Sequence, residues 1–253
     1  MIAALLIGRK GSVGFPGKNC YSILGRPLMT YPILAAKQSA LVDSVYVSTD
    51  DENIMEIASH HGVNIIVRPP ELATKNALGE DAFVHGYKVI KNEAARNDNN
   101  IEFMVLLFCN AATVLPQTVD QSIEVLRENP EYDSAVTVSR YNMWSPLRAR
   151  KIGEDGLLHP YVPFETFGDP ETLNCDRDSQ GDVWFADMSL SVVRPGCLEN
   201  MEKGLLPQKW MGNNIFPIKQ EAGCDVDYEW QIPGVEYWLK KNGFTENTED
   251  HHE

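Results

Sequence analysis

The sequence lacks the features that would mark a disulfide-stapled, zinc-binding or membrane-spanning protein. Its five cysteines are an odd number without a C-x-x-C pair, so we expect reduced thiols in a reducing compartment. Its six histidines show none of the helical spacings of a zinc site. Hydrophobic runs stay well short of the roughly 18 apolar residues of a membrane span. We therefore expect a soluble, cytoplasmic protein that makes no membrane contact.

Positive charge is scarce as well. Lysine and arginine total 22 against 36 aspartate and glutamate residues, which gives a formal net charge of −14. Such an acidic balance disfavours a broad nucleic-acid-binding surface. The 253 residues are 43% hydrophobic and 23% charged, an ordinary globular composition that is sufficient for one large α/β domain.

Against this acidic background, the stretch "LLIGRKGSVGFPGKN" places four glycines and three cations directly after a hydrophobic run. Backbone N–H groups and fixed positive charge after a strand suit an anionic ligand such as phosphate. The spacing excludes a Walker A loop, because Gly11 and Gly17 are separated by five residues and Asn19 follows Lys18. It also excludes the dinucleotide fingerprint, since Pro16 interrupts glycines that recur at every third position. A tight surface turn with incidental charges remains the alternative.

Hydrophobic periodicity predicts strands that alternate with helices along most of the chain. The predicted strands are "MIAALLIG", "DSVYVSTD", "VNIIV", "FMVLLF", "SAVTVS" and "VWFADMSLSVVRP", and the predicted helices are "PLMTYPILAAKQSALV", "DENIMEIASHHG", residues 79–96 and residues 117–128. This order indicates an α/β fold, a Rossmann-like three-layer sandwich with a mainly parallel sheet. Ligands bind such sheets at the carboxyl ends of the strands, where the glycine loop, "STDD" and "CNAA" should meet.

The predicted organisation is a single domain over residues 1–246. Residues 140–181 are rich in Pro, Gly, Arg and aromatics with weak periodicity, so we expect an inserted arm there that packs on a partner subunit or closes over the site. The tail at 247–253 is expected to be disordered.

A second informative stretch is "CDVDYEW". Alternation on a strand would place Asp225 and Asp227 on the same side. Two carboxylates directed at one point suit Mg²⁺, which completes its coordination shell with water and phosphate oxygens. A solvated acidic pair, or a cap of the next helix, explains the same residues.

Taken in order, "GRKGSVGFPGKN", "LGRPLMTYPILAAKQS", "VDSVYVSTDDENIMEIA", "VRPPELA" and "CDVDYEW" resemble the CMP-sugar-acid synthetases, the cytidylyltransferases that activate N-acetylneuraminate and related nonulosonates. The resemblance covers most of residues 1–75 and the segment around 225–239. It implies CTP as the nucleotide, Mg²⁺ as the cofactor, transfer of CMP to a small acidic acceptor, and a homodimer with an inserted dimerisation element.

Carried over to matching positions, the resemblance implies a nucleotide site and a metal site. Around the nucleotide it places Arg9, Ser12, Lys18, Asn19 and Arg68. Lys10 adds a cation nearby, and the backbone N–H groups around Gly11 can approach the phosphates without side-chain hindrance. The resemblance implies that Asp225 and Asp227 hold the metal ion. Arg9 and Lys18 would neutralise charge on the leaving pyrophosphate. The acceptor hydroxyl would lose its proton either to Asp225 or because a bound metal ion lowers the pKa of that hydroxyl.

The acceptor site is the part where this sequence departs from the family. The Q-P-T-S-P-L-R motif of the sialic-acid enzymes corresponds to "FCNAATV" here, and the R-P-N-G segment corresponds to "FADM". Asn110 and Asp187 are candidate acceptor-binding residues, because their segments should leave strands near the cleft. Arg148 and Arg177 in the arm could supply the missing guanidinium group, which pairs bidentately with carboxylate or phosphonate.

The preferred function is therefore a CTP-dependent cytidylyltransferase that joins CMP to a nonulosonic or related 2-keto sugar acid and releases pyrophosphate. Two alternatives remain open. The acceptor could be a phosphonate or a sugar phosphate, or the protein could be a non-catalytic nucleotide-binding homologue. Retention of Lys18 with Asp225 and Asp227 argues against the last alternative, because binding alone does not require the acidic pair.

Overall fold

The computed structural model describes residues 1–178 and 181–247. Its strands are β1 (Ile2–Ile7), β2 (Ser22–Ile23), β3 (Arg26–Pro27), β4 (Ser44–Thr49), β5 (Asn64–Val67), β6 (Phe103–Phe108), β7 (Ser134–Arg140), β8 (Arg150–Ile152), β9 (Leu158–Pro160), β10 (Trp184–Val193) and β11 (Ile215–Gln220). Its helices are α1 (Thr30–Gln38), α2 (Glu52–His60), α3 (Gly79–Arg96), α4 (Pro116–Glu128), α5 (Pro195–Glu199) and α6 (Ile232–Lys241).

Seven strands form the central sheet in the order β11-β7-β10-β6-β1-β4-β5. Strand β1 lies between β4 and β6 and runs parallel to both. Strand β10 runs antiparallel to β6 and β7, with an irregularity between Ala186 and Ser191. The sheet is therefore mainly parallel, as the alternation of strands and helices predicted.

Helices cover the sheet on both faces. Side chains alternate along β1, so that Ala4 and Leu6 enter the core shared with α1, α2 and α4, whereas Leu5 and Ile7 enter the core shared with α3 and α5. All four side chains are less than a tenth exposed. The result is the predicted three-layer sandwich, with strands that are apolar on both sides because both sides are buried.

The helix boundaries follow local signals. Helix α2 begins after Asp51, whose carboxylate accepts the N–H of Asn53 at 2.9 Å, and ends before Gly62, whose φ of +63° is left-handed. Helix α1 is shorter than the predicted "PLMTYPILAAKQSALV". Its end is fixed by Ser39, whose hydroxyl accepts the backbone N–H groups of Leu41 and Val42.

The arm between β7 and β10 consists of short 3₁₀ turns and one small hairpin of β8 and β9. Some of its aromatic rings fold back on the chain: Tyr141 donates its hydroxyl to the Gly223 carbonyl, and Phe164 lies under the Arg150 guanidinium. Others face solvent, since Trp144 is 60% exposed and Tyr161 is 65% exposed.

The predicted disordered tail lies outside the described residues apart from Asn247, whose N–H donates to the Leu24 carbonyl. Within the described residues, no helix is both long enough and apolar enough to cross a membrane.

Candidate active site

Parallel strands bring three loops together at one edge of the sheet. The glycine loop, residues 8–19, follows β1, while Asp50 follows β4 and Asn110 follows β6. The Lys10 backbone N–H donates to the Asp50 carboxylate at 3.0 Å, which fixes the start of the glycine loop against the end of β4. The expected meeting of these loops at the carboxyl ends of the strands is confirmed.

The far side of the glycine loop packs against the segment that carries the two aspartates. A Cβ on Gly14 would lie 2.7 Å from the Asp227 carbonyl oxygen, closer than a side-chain carbon can approach backbone. Gly11 and Gly17 have φ of +78° and +75°, which L side chains rarely adopt. Glycines are thus required for two reasons, left-handed backbone and close approach of the loop to residue 227.

Two arginines lie at the other end of the loop. Arg9 donates to the Thr74 carbonyl at 2.7 Å, which holds its guanidinium group over the edge of the sheet. Arg68 is only 5% exposed and donates to the Ser48 carbonyl at 2.6 Å. Burial lowers the pKa of Arg68, although a guanidinium group stays protonated. Both arginines present fixed positive charge to the same opening.

The acidic pair, Asp225 and Asp227, lies in an irregular segment after β11. The prediction that these two residues lie on a strand is therefore wrong. Buried Val226 separates the two aspartates, and its N–H donates to the Asn110 carbonyl at 2.9 Å instead of to a neighbouring strand. The loop is nevertheless extended enough to direct both carboxylates into one cavity.

The two carboxylates of the acidic pair have different environments. Burial, and then the charge of Asp227, raises the pKa of Asp225, while Lys18 and a hydrogen bond from Asn110 oppose that shift. The Asn110 amide donates to Asp225 at 3.3 Å and to the Val226 carbonyl at 2.9 Å. The Asp227 side chain is 59% exposed and forms an ion pair of 2.6 Å with Lys18.

These residues line one cavity of about 370 Å³, called the site cavity below. It has the size of a small-molecule site. The candidates that line it are Arg9, Ser12, Lys18, Asn19, Arg68, Asn110, Asp225 and Asp227. Lys10 and Gly11 belong to the same loop but lie outside the lining. Asn110 therefore adjoins the acidic pair directly.

Asp187, in contrast, lies outside the lining of the site cavity. It is 5% exposed, and its carboxylate accepts hydrogen bonds from Thr137, Ser139 and Gln220 at 2.7, 2.7 and 2.9 Å. These donors come from β7 and β11, so Asp187 joins three strands in the interior. The expectation that it leaves its strand beside the cleft is wrong, because Asp187 lies within β10 and these donors hold its carboxylate between the strands.

The arm arginines also lie away from the site cavity of their own chain. Arg148 donates to the Cys175 carbonyl at 2.7 Å and lines a separate cavity of about 630 Å³ within the arm. Arg177 pairs with Asp178 at 2.8 Å, and this guanidinium group, together with Asn142, lowers the pKa of Asp178 to about 2.

Gln231 and Tyr228 are site residues that the sequence reasoning missed. The Gln231 side chain accepts the N–H groups of Asp227 and Tyr228 at 2.7 and 2.8 Å and donates to the Asp225 carbonyl at 3.2 Å. Gln231 thereby fixes the backbone of the acidic pair, while the Tyr228 ring lines the site cavity. A glutamine three residues after the start of a helical turn is the available signal, since capping boxes use that spacing.

A mainly parallel sheet, a cationic glycine loop at its carboxyl edge and an acidic pair across the cavity define the class of α/β nucleotide-binding proteins. A family model described as "Cytidylyltransferase" matches residues 3–152. The chain belongs to this family, and the resemblance drawn from the sequence motifs is confirmed.

Individual relatives agree with the family model. The chain is 29% identical to an N-acylneuraminate cytidylyltransferase A of Danio rerio, over 96% of this chain and 52% of that protein. It is also 29% identical to a CMP-N,N'-diacetyllegionaminic acid synthase of Legionella pneumophila, over 91% of this chain and 94% of the relative.

The chain spans about half or less of the length of several N-acylneuraminate cytidylyltransferases that it matches. Among solved structures, a CMP:2-keto-3-deoxy-manno-octonic acid synthetase complexed with CTP aligns with a TM-score of 0.64. It is 16% identical, and the alignment covers 95% of this chain and 99% of that chain. This likeness establishes a shared fold.

Proposed function

We propose that this protein transfers CMP from CTP to a hydroxyl group of a nonulosonic or related 2-keto sugar acid and releases pyrophosphate. The observation that carries the proposal is the site cavity, in which the cationic glycine loop reaches the acidic pair through the 2.6 Å contact of Lys18 with Asp227. Family membership and the activities named for the relatives support the reaction class.

In this proposal, the glycine loop and Arg68 bind the nucleotide. Arg9 and Lys18 are the cations positioned to neutralise phosphate charge, and Ser12 and Asn19 add polar groups in the same lining. Because Thr74 and Asp227 already hold these two cations in place, little side-chain freedom is lost when phosphate binds. The arrangement suits an anionic, elongated ligand that lies along the loop.

We further propose that Asp225 and Asp227 hold Mg²⁺. The donor chemistry fits, because both groups offer carboxylate oxygens, and Asp227 already attracts the ammonium group of Lys18. When bound, Mg²⁺ would supply electrostatic stabilisation of phosphate oxygens. Asn110 would hold the Asp225 carboxylate in position, and Gln231 would hold the backbone of both aspartates.

The proposed reaction is an in-line displacement at the α-phosphorus of CTP. The acceptor hydroxyl oxygen forms a bond to phosphorus, the bond between the α-phosphorus and the bridging oxygen breaks, and that oxygen leaves with pyrophosphate. The acceptor proton passes to a base or to water. Arg9 and Lys18 stabilise the charge that develops on the leaving group, so the protein contributes mainly position and charge.

We also propose that the protein is a homodimer in which the arm covers part of the partner. The arm exposes large apolar side chains that would be costly on a monomer: Trp144, Ile152, Leu158 and Tyr161 are between 60% and 75% exposed. An isologous contact would bury two copies of this patch together. Arg148 and Arg177 would then lie near the partner's acceptor pocket.

The test is a pyrophosphate-release assay with CTP, Mg²⁺ and a panel of acceptors. N-acetylneuraminate, N,N'-diacetyllegionaminic acid and 3-deoxy-manno-octulosonate represent the sugar acids, and a phosphonate and a sugar phosphate represent the alternatives. We expect turnover with at least one sugar acid and with CTP well ahead of ATP or GTP. Turnover with only the phosphonate or the sugar phosphate would change the acceptor class. CTP binding without turnover on any acceptor would overturn the enzyme assignment.

A further inference from the structure

Two exposed aromatic rings lie side by side next to the acidic pair: Tyr228 lines the site cavity, and Trp230 lies outside the lining but stacks on Tyr228. Tyr228 follows Asp227 directly and lines the cavity, and Trp230 stacks beside it with ring planes 12° apart and centroids 6.3 Å apart. Tyr228 is 53% exposed and Trp230 is 72% exposed. These two residues are called the aromatic wall below.

The Tyr228 part of the aromatic wall is anchored at its backbone and at one side of its ring. The Gln231 side chain accepts the Tyr228 N–H at 2.8 Å, and the Gln231 N–H donates to the Tyr228 carbonyl at 3.1 Å. On its other side, the Tyr228 ring lies within 3.4 Å of the position that a Cβ on Gly14 would occupy. The wall therefore presents an anchored tyrosine ring and a neighbouring indole ring to solvent, a costly arrangement unless something covers that surface.

The location of the wall indicates what covers it. The first residues of the glycine loop are tied to Thr74 and Asp50, whereas Gly14 and Lys18 reach Asp227 and Tyr228. The site cavity thus has an arginine end, with Arg9 and Arg68, and an acidic end that the aromatic wall continues. A nucleotide that lies along the loop from the arginine end would bring its α-phosphorus to the acidic pair, and its co-substrate must approach beyond that point.

We infer that the aromatic wall binds the acceptor sugar by its apolar ring face. The inference rests on the proposed function. The C–H groups of a sugar ring carry slight positive charge and pack on the negative face of an aromatic ring. The wall carries no cation of its own, so it recognises the carbon skeleton or an N-acyl methyl group of the acceptor and leaves the carboxylate to other residues. Tyr228 and Trp230 are therefore specificity-determining residues.

The test variants are Tyr228→Ala and Trp230→Ala. Tyr228→Phe retains the ring face, and Tyr237→Ala changes a 65% exposed tyrosine of α6 outside the cavity lining. Pyrophosphate release is measured with N-acetylneuraminate and CTP varied in turn. We expect each wall-to-alanine change to raise the acceptor KM about five- to tenfold, the size of a lost aromatic contact. The CTP KM should stay within about twofold. Tyr237→Ala should match the wild type, and Tyr228→Phe, which keeps the ring, should raise the acceptor KM less than Tyr228→Ala does.

A second readout does not depend on turnover. Wild-type protein and Trp230→Phe are loaded with a CTP analogue that has a non-cleavable α–β bridge and are then titrated with N-acetylneuraminate. A change in tryptophan fluorescence that is lost in Trp230→Phe supports contact with the wall. Two results would overturn the inference. In the first, the wall variants raise the CTP KM and leave the acceptor KM unchanged. In the second, they dimerise less and change neither KM. If the wild-type protein shows no turnover, the proposed function fails. The fluorescence titration still tests whether the wall contacts the acceptor, because it measures binding and not turnover.

Discussion

At the scale of single residues, Asp227 is the group whose role can be separated most cleanly from folding. Its side chain is 59% exposed and forms an ion pair with Lys18. The Asp227 side of this pair is open to solvent, so the pair contributes about 1 kcal/mol to the free energy of unfolding, and asparagine at position 227 keeps an oxygen that can accept from Lys18. A change at this position should therefore affect chemistry much more than stability.

We predict that Asp227→Asn lowers kcat/KM for CTP about 100-fold or more, because one of two carboxylates proposed to hold Mg²⁺ is lost and such stabilisation amounts to several kcal/mol. The melting temperature should change little. Asp98→Asn is the matched control, since Asp98 is exposed at the end of α3 and asparagine tolerates its φ of +55°. Turnover close to that of wild type at limiting Mg²⁺ would contradict the metal assignment.

At the scale of elements, the glycine loop depends on the absence of a side chain at Gly14. We predict that Gly14→Ala reduces kcat/KM about 10- to 100-fold, because the Cβ would meet the Asp227 carbonyl at 2.7 Å and push the loop away from the acidic pair. Stopped assays at saturating and limiting CTP would measure the effect.

Gly234→Ala is the control for that change. Gly234 lies in α6 with open space around the site of an added Cβ, so alanine should retain the wild-type rate and stabilise the helix by about 0.5–1 kcal/mol. Equal activity of the Gly14 and Gly234 variants would show that the loop can move aside without consequence.

Helix α4 is joined to the start of β6 by a bidentate ion pair. Arg127 donates to the two Glu102 oxygens at 2.7 and 2.8 Å, and these hydrogen bonds lower the pKa of Glu102. A lowered pKa in the folded state adds stability above the pKa of the unfolded chain, and that stability is lost as the pH falls through the folded pKa.

We predict that Glu102→Gln destabilises the protein at pH 7 by about 0.5 kcal/mol, a small amount because both side chains are about 40% exposed. The difference from wild type should shrink as the pH falls below about 4.3. Urea unfolding from pH 7 down to about pH 3 measures both values, with Glu128→Gln as an exposed control of equal charge on α4. A deficit that grows on acidification would refute the assigned sign.

At the scale of the whole molecule, the proposed dimer makes the arm the element that could complete the partner's site. Arg148 and Arg177 do not line the site cavity of their own chain, so they can contact an acceptor there only from a partner. In the proposed dimer, the exposed apolar side chains of the arm would form the contact surface.

We predict a dimer in sedimentation whose sites are shared. Mixing Asp227→Asn protein with the double variant Arg148→Ala, Arg177→Ala should restore about a quarter of wild-type activity, because random exchange yields half hybrids and each hybrid has one intact site. Verified subunit exchange without recovery of activity would refute shared sites, and a monomer at working concentration would refute the dimer.

The sequence alone was sufficient to predict the three-layer fold and to assign the chain to its family. Strand and helix periods are local properties, so α3 at Gly79–Arg96 and β6 at Phe103–Phe108 were predicted where they are found. The parallel arrangement followed from alternation of these elements, and it placed the glycine loop and Asn110 at one edge. The glycine spacing identified the family because it reflects backbone constraints within a short segment.

Only the tertiary structure decided which polar residues share the cavity. Asn110 and Asp187 were equivalent candidates in the sequence, yet contacts with Val226 direct the first to the acidic pair, and donors on β7 and β11 hold the second in the core. Likewise, the acidic pair leaves the sheet because the Val226 N–H finds its acceptor in Asn110, over 100 residues away. Such contacts depend on the relative positions of distant segments, which no local period encodes.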